Sequence, residues 1–163
     1  MSQIKNKTRV KERGEVFTNP KEVKAICDLI PQEIWQNIDS TFLEPSCGNG
    51  NFLTEILERK LKYCRNEHDI SRAVKSIYAI DIMEDNVEES KSSLIELCSN
   101  KIVQYTQNFD IITAVMTECK LILDNQIVCG DALTGLLNTG EKIWFLPQDY
   151  YDNLSKKKKK IKS

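Results

Sequence analysis

After Pro20, the residues Val23, Ile26, Cys27 and Ile30 recur three and four places apart, the spacing of one face of a helix, and Pro31 stops the pattern. A second small helical piece is predicted around Ile34, Trp35 and Ile38. Past Asp39-Ser40 the character changes, and Thr41-Phe42-Leu43 is a short apolar run of the kind that forms a buried strand. It enters a turn with two glycines. From about Asn51 to Tyr63 a helix is predicted, with Phe52, Ile56, Leu57 and Leu61 along one side. The unit is strand, glycine turn, helix.

A polar stretch from Arg65 to Lys75 follows, and His68 within it is expected in an exposed loop without a chemical role. The apolar run Ile77-Tyr78-Ala79-Ile80 predicts a second strand that ends abruptly at Asp81. Glu84, Asp85, Glu88 and Glu89 then crowd the first turns of a helix, where acids complement the positive end of the helix dipole. Val87, Leu94, Ile95 and Cys98 are its inward residues. A further helix near Ile111 to Leu121 precedes the strand Gln126-Ile127-Val128-Cys129, which leads to Gly130-Asp131. Lys142-Ile143-Trp144-Phe145-Leu146 predicts a fourth strand, closed by Pro147. Strands alternating with helices imply an α/β fold with a parallel, doubly wound sheet.

Length and composition narrow the class. At 163 residues, 40% hydrophobic and 29% charged, the chain has the make-up of one ordinary globular domain. No stretch approaches the roughly 18 apolar residues of a membrane span, and the polar N-terminus does not read as a signal peptide, so a cytoplasmic protein is expected. The six cysteines are scattered without a C-x-x-C pair and lie mostly in apolar stretches, which reads as reduced core thiols. With one histidine and no cysteine near another, no metal site is expected. Net charge is −1, but positive charge gathers at the ends, in Lys5, Lys7, Arg9, Lys11 and Arg13 and again in Lys156 to Lys160 with Lys162. Such tails can hold phosphates or simply keep a terminus solvated. The expected division is a basic segment over 1–13, a domain over 14–151 and a lysine-rich tail over 152–163.

In an open parallel sheet the ligand crevice lies beyond the C-terminal ends of the strands. Gly48 and Gly50 follow the first strand and let the backbone turn tightly and approach a ligand. Asp81 follows the second, where a carboxylate can accept from both ribose hydroxyls of a nucleoside. Asp131 follows the third, placed to accept from an adenine amino group. Each has an ordinary alternative, since both acids could be helix caps, Phe17 and Phe52 could be core, and Cys47 could be a packing residue. No third glycine follows Gly50 at dinucleotide spacing, which disfavours a nicotinamide cofactor.

Glu44-Pro45-Ser46-Cys47-Gly48-Asn49-Gly50-Asn51-Phe52 resembles the D-P-A-C-G-S-G-x-F motif of the adenine-N6 DNA methyltransferases of restriction-modification systems, with Glu44, Ser46 and Asn49 as modest replacements. Gly14-Glu15-Val16-Phe17-Thr18-Asn19-Pro20 is similar to that family's G-x-x-F-T-P segment, with Asn19 inserted before the proline. Ile80-Asp81-Ile82 and Gly130-Asp131-Ala132-Leu133 resemble the second and third cofactor motifs. The resemblance runs from about Val10 to Leu137 and implies a Rossmann-like fold, truncated after about the fourth strand, that binds S-adenosylmethionine (SAM). The cofactor residues it implies are Phe17, Thr18, Glu44, Pro45, Cys47, Gly48, Gly50, Phe52, Asp81, Ile82, Asp131 and Ala132.

The family's catalytic Asn/Asp-Pro-Pro-Tyr/Phe has no counterpart. At the corresponding distance the chain reads Phe145-Leu146-Pro147-Gln148-Asp149-Tyr150-Tyr151, and a leucine cannot take the proton of the exocyclic amine. Gln148, Asp149 and Tyr150 are the residues that could substitute after local rearrangement. Two functions follow. One is the SAM-binding part of a DNA adenine-N6 methyltransferase, acting on DNA and completed by a second, catalytic or specificity subunit. The other is a catalytically silent SAM-binding or DNA-associated module of a phage or mobile element.

Overall fold

The structure, a computed structural model, describes residues 17–153. The basic segment 1–13, the start of the G-x-x-F-T-P-like segment at 14–16 and the lysine run at 156–160 lie outside the described residues.

Helix α1 spans Pro20–Cys27, and α2 spans Gln32–Gln36. Asn19, the residue inserted before the proline, is the N-cap of α1: its side chain accepts from the Lys21 N–H at 2.9 Å, and Pro20 occupies the first helical position. Strand β1 (Phe42–Glu44) leads through the glycine turn to α3 (Asn51–Leu61). The polar stretch after it is not a loop but α4 (Glu67–Lys75), capped by Asn66. It buries Ile70, Ala73 and Val74, and three apolar residues within nine are too few to stand out as a periodic pattern. His68 is exposed as expected, but on this helix. Strand β2 (Ile77–Asp81), α5 (Glu84–Ile102), α6 (Phe109–Gln126) and β3 (Ile127–Asp131) follow where the sequence places them, with both helices longer than their apolar patterns suggest.

The sheet order is β1-β2-β3-β4, where β4 is the two-residue strand Leu136–Leu137. β1 pairs parallel to β2 with Phe42 opposite Ile77, and β2 parallel to β3 with Ala79 opposite Ile127. β4 turns back antiparallel on β3. Two expectations are corrected here. Lys142 to Leu146 does not form a fourth parallel strand; Lys142 makes a lone bridge to Leu136, and Ile143 and Leu146, three residues apart, both turn into a small second core. The apolar run is therefore a loop lying on the sheet, not a strand within it.

The second correction concerns the winding. Side chains alternate across a strand, so Ile77 and Ala79 face one way and Tyr78 and Ile80 the other. Ile77, Ala79 and Ile127 share a core with buried residues of α1 to α6, including Val23, Trp35, Leu53, Leu57, Ile70, Leu94, Cys98 and Leu123. Ile80 lies with Ile143 and Leu146 on the opposite face, with Tyr150 and Tyr151 of the helical stretch 148–153 packed against them. Successive parallel crossovers of one hand put their helices on one face, and a second layer needs strands beyond β1. Among the described residues β1 is an edge strand, so the sheet is wound on one side only.

Candidate functional site

The glycine turn is built by constraints from three elements. Gly48 and Gly50 have φ of +54° and +85°, a region that L side chains enter only with strain. Space forbids a side chain too: a Cβ on Gly50 would stand 2.7 Å from Ser90 Oγ, and one on Gly48 would stand 3.0 Å from the Phe17 ring. The first α5 turns press on this loop. Ser90 donates from Oγ to the Gly48 carbonyl at 3.2 Å and lies 3.8 Å from Cys47 Sγ.

Asp81 joins the two motif strands. Its Oδ2 accepts from the Gly48 N–H at 2.8 Å, while Oδ1 accepts from the Met83 N–H at 2.8 Å and from Asn86 Nδ2 at 3.2 Å. Asp81 is therefore not the cap of α5, which begins after Met83 without a side-chain cap; its Oδ1 closes a local turn, and its Oδ2 has a role that its position alone does not reveal: holding the turn between β1 and α3. The residue is only 6% exposed. A carboxylate oxygen has two acceptor directions, so Oδ2 retains one.

Asp131 makes a similar local turn, Oδ1 accepting from the Leu133 N–H at 2.8 Å, and its second oxygen takes no hydrogen bond from a described residue. Glu44 accepts from the Ser46 N–H at 3.2 Å; burial pushes its carboxyl above the ordinary value, Asp81 adds to this and the Ser46 N–H opposes it. Burial, then the charge of Asp81, pushes the Cys47 thiol up to about 12, which makes it a packing group and not a nucleophile. Phe52 packs against the main core, Pro45 is exposed, and Ile82 stands nearly half exposed just past the end of β2. Ala132 leans on the second core.

The segment before α1 comes to this place as well. Phe17 is buried with its ring against Gly48, and the Thr18 carbonyl accepts from Asn51 Nδ2 at 2.9 Å. Phe17, Thr18, Cys47, Gly48, Gly50 and Asp81 therefore form one connected patch, with Glu44 at its β1 side. Gln148, Asp149 and Tyr150 belong elsewhere: Gln148 contacts Asp152, Asp149 is exposed, and the Tyr150 ring stacks edge-on against Tyr151 beside the second core.

Sequence reading missed Asn86 and Ser90. Their signal was available, because they stand four apart among the inward residues Val87, Leu94 and Cys98, and polar groups on an inner face need partners. It also missed Lys60, fully buried on α3, whose Nζ donates to the carbonyls of Ile38 at 2.9 Å and Ser40 at 2.6 Å. Lys60 stands four residues after Ile56, on the buried face of its helix.

The donors and acceptors fit a nucleoside-bearing cofactor. An acceptor direction on Asp81, a carboxylate oxygen on Asp131 and the half-exposed Ile82 surface stand at adjoining strand ends, and α3 begins at the turn without a side-chain cap. Among the described residues no group of three His, Cys, Asp or Glu is placed to hold a metal ion, and no helix is long and apolar enough to cross a membrane.

Compared with known proteins, the chain is 38% identical over 89 residues to the type II methyltransferase M.VspI of Vibrio sp. (strain 343). The match takes in 54% of this chain and 18% of that protein, so the chain spans less than a fifth of its relative's length. The similarity supports a methyltransferase family. No protein-family model matches the chain, and no solved structure does.

Proposed function

We propose that the domain over 14–151 binds SAM and is the cofactor-binding part of a DNA methyltransferase directed to adenine N6. The observation that carries this reading is the bond from the Gly48 N–H to Asp81 Oδ2, which joins the glycine turn after β1 to the acid ending β2. Similarity to a type II methyltransferase supports the same reading.

Asp81 and Asp131 would hold the nucleoside, the glycine turn would bring backbone against it, and Phe17 and Thr18 would form a wall of the crevice. SAM supplies an electrophilic methyl group. The chain's own residues then contribute orientation, and placement of reactants is a large part of what such a transfer requires. The acceptor for the adenine amine and the target-reading surface belong to further polypeptide, within a longer chain or a second subunit.

One observation favours a silent module instead. Leu146, at the catalytic place, is buried in the second core, and neighbouring Phe145 packs on Tyr78 with ring centroids 5.2 Å apart. A loop fixed in this way is not poised to bring Gln148 or Asp149 to the glycine turn.

Calorimetric titration with SAM tests the proposal on the wild-type protein, Asp81→Ala and Asp81→Asn. Wild type is expected to bind and both variants to bind at least tenfold more weakly, because alanine removes both acceptor oxygens and asparagine keeps only one, which cannot serve the Gly48 N–H on one side and the Met83 N–H on the other. Absence of binding by folded wild-type protein would sink the reading.

A further inference from the structure

We propose that Asn51 is a positioning residue: its side-chain amide latches the Phe17–Thr18 strap onto the glycine turn, and so sets how tightly the crevice holds its ligand. The inference rests on the SAM-binding reading above.

The geometry is specific. Asn51 opens α3, immediately after Gly50 in its left-handed conformation. Asparagine is a poor helix former whose usual use at a helix start is to cap the helix itself. Here no side chain caps α3, and Asn51 Nδ2 instead reaches 33 residues back in sequence to the Thr18 carbonyl, at 2.9 Å. The strap's far end is fastened separately, where Asn19 caps α1. Its near end is Phe17, whose ring lies so close to Gly48 that a Cβ there would meet it at 3.0 Å. The Asn51 bond thus ties the strap to α3 through a side chain, and it lies between the ring contact and the cap.

The direction of the bond matters. Thr18 offers a carbonyl, so the partner must donate. An amide can do this, whereas an ionised carboxylate of the same shape presents only acceptors and would push the strap away. Where only the latched form holds the ligand well, apparent affinity falls by the fraction of molecules latched. Breaking one such bond is expected to weaken binding about three- to tenfold, mostly through faster dissociation.

The experiment uses the full chain, Asn51→Ala, Asn51→Asp and Phe17→Ala, with SAM as the probe. Binding is measured by calorimetry and stopped flow, folding by thermal unfolding, and strap motion by hydrogen exchange of the peptide containing Phe17 and Thr18. We expect faster strap exchange and faster SAM release in Asn51→Ala, a larger effect in Asn51→Asp, and exchange in α5 and α6 as in wild type. Asn51→Ala and Phe17→Ala together should cost less than the sum of their separate losses, because both act through one strap. Wild-type binding with Asn51→Ala unchanged in release and exchange would overturn the latch alone. No binding by wild type removes the reading and the inference with it. General loss of exchange protection across the chain would mark Asn51 as merely structural and would also overturn the proposal.

Discussion

Gly48 and Gly50 share a left-handed backbone, yet they do not pay equally for a side chain. At Gly48 the obstacle is the Phe17 ring, which can swing aside, whereas at Gly50 a Cβ meets Ser90 Oγ at 2.7 Å and the Ser90 Cα at 3.1 Å. Gly48→Ala should therefore destabilise the protein by about 1–2 kcal/mol, near the cost of the backbone conformation, and Gly50→Ala by about 3 kcal/mol or more. Urea unfolding of the two variants checks the order. Trimming Ser90 to alanine should not rescue Gly50→Ala, because the Ser90 Cβ and Cα remain 3.0 and 3.1 Å from the added atom. Equal losses, or a full rescue, would show that the α5 contact does not shape the turn. That the glycines were essential was legible from their place after a strand; which neighbour makes them so was not, since Ser90 stands 40 positions away from Gly50.

At the level of elements, α3 and α5 each carry polar groups on the face turned inward. Asn86 and Ser90 find their partners in Asp81 and the Gly48 carbonyl. Lys60 finds only carbonyls and the face of Phe42, its Nζ 4.9 Å from the ring centroid, and burial holds its amine down at about 8 against an ordinary 10.5. Asp39 opposes that shift. Between these two values the unfolded chain binds a proton that the folded chain has released, so the lysine's contribution to stability rises with pH across that window. The buried thiols act in the opposite sense, Cys47 at about 12 and Cys64 at about 11 being raised by burial; a Lys60→Met variant keeps both, and loss of the Lys60 charge, which pulls the Cys64 thiol down, adds to the difference in the same direction. The stability of wild type minus that of Lys60→Met should accordingly climb between about pH 8 and 10.5. A difference that stays flat in chemical unfolding across this range would refute the shift.

Over the whole molecule, the decisive feature is the position of β1. It carries the glycine turn, yet among the described residues it pairs only with β2, and Leu43 on the face away from the helices is half exposed. A strand added on the other side of β1 would reverse the strand order there, the place where open α/β sheets open their ligand crevice, while the glycine turn, Asp81 and Asp131 already stand at the ends of β1, β2 and β3. On the proposed function, that strand comes with the catalytic elements. The isolated chain should then bind SAM but transfer no radiolabelled methyl group to DNA above background, and Leu43→Lys should block complementation by the missing polypeptide while leaving SAM binding intact. Methyl transfer by the chain alone would show that residues 145–151 rearrange to serve as catalyst.

Local pattern determined much of this protein. The order of elements from α1 to β3 apart from α4, the glycine turn and the acids ending β2 and β3 all follow from periodicity and from breaks in it, which act over a few neighbouring residues. Tertiary structure alone decided that the 142–146 run lies on the sheet, that α1 to α6 gather on one face, and that α4 forms from a stretch too polar to announce itself. It also decided the partners: Asp81 with Gly48, Asn51 with Thr18, Lys60 with Ile38 and Ser40. Those bonds join positions 20 to 33 residues apart, and a polar side chain states its need for a partner in the sequence without naming it, because packing alone brings donor and acceptor together.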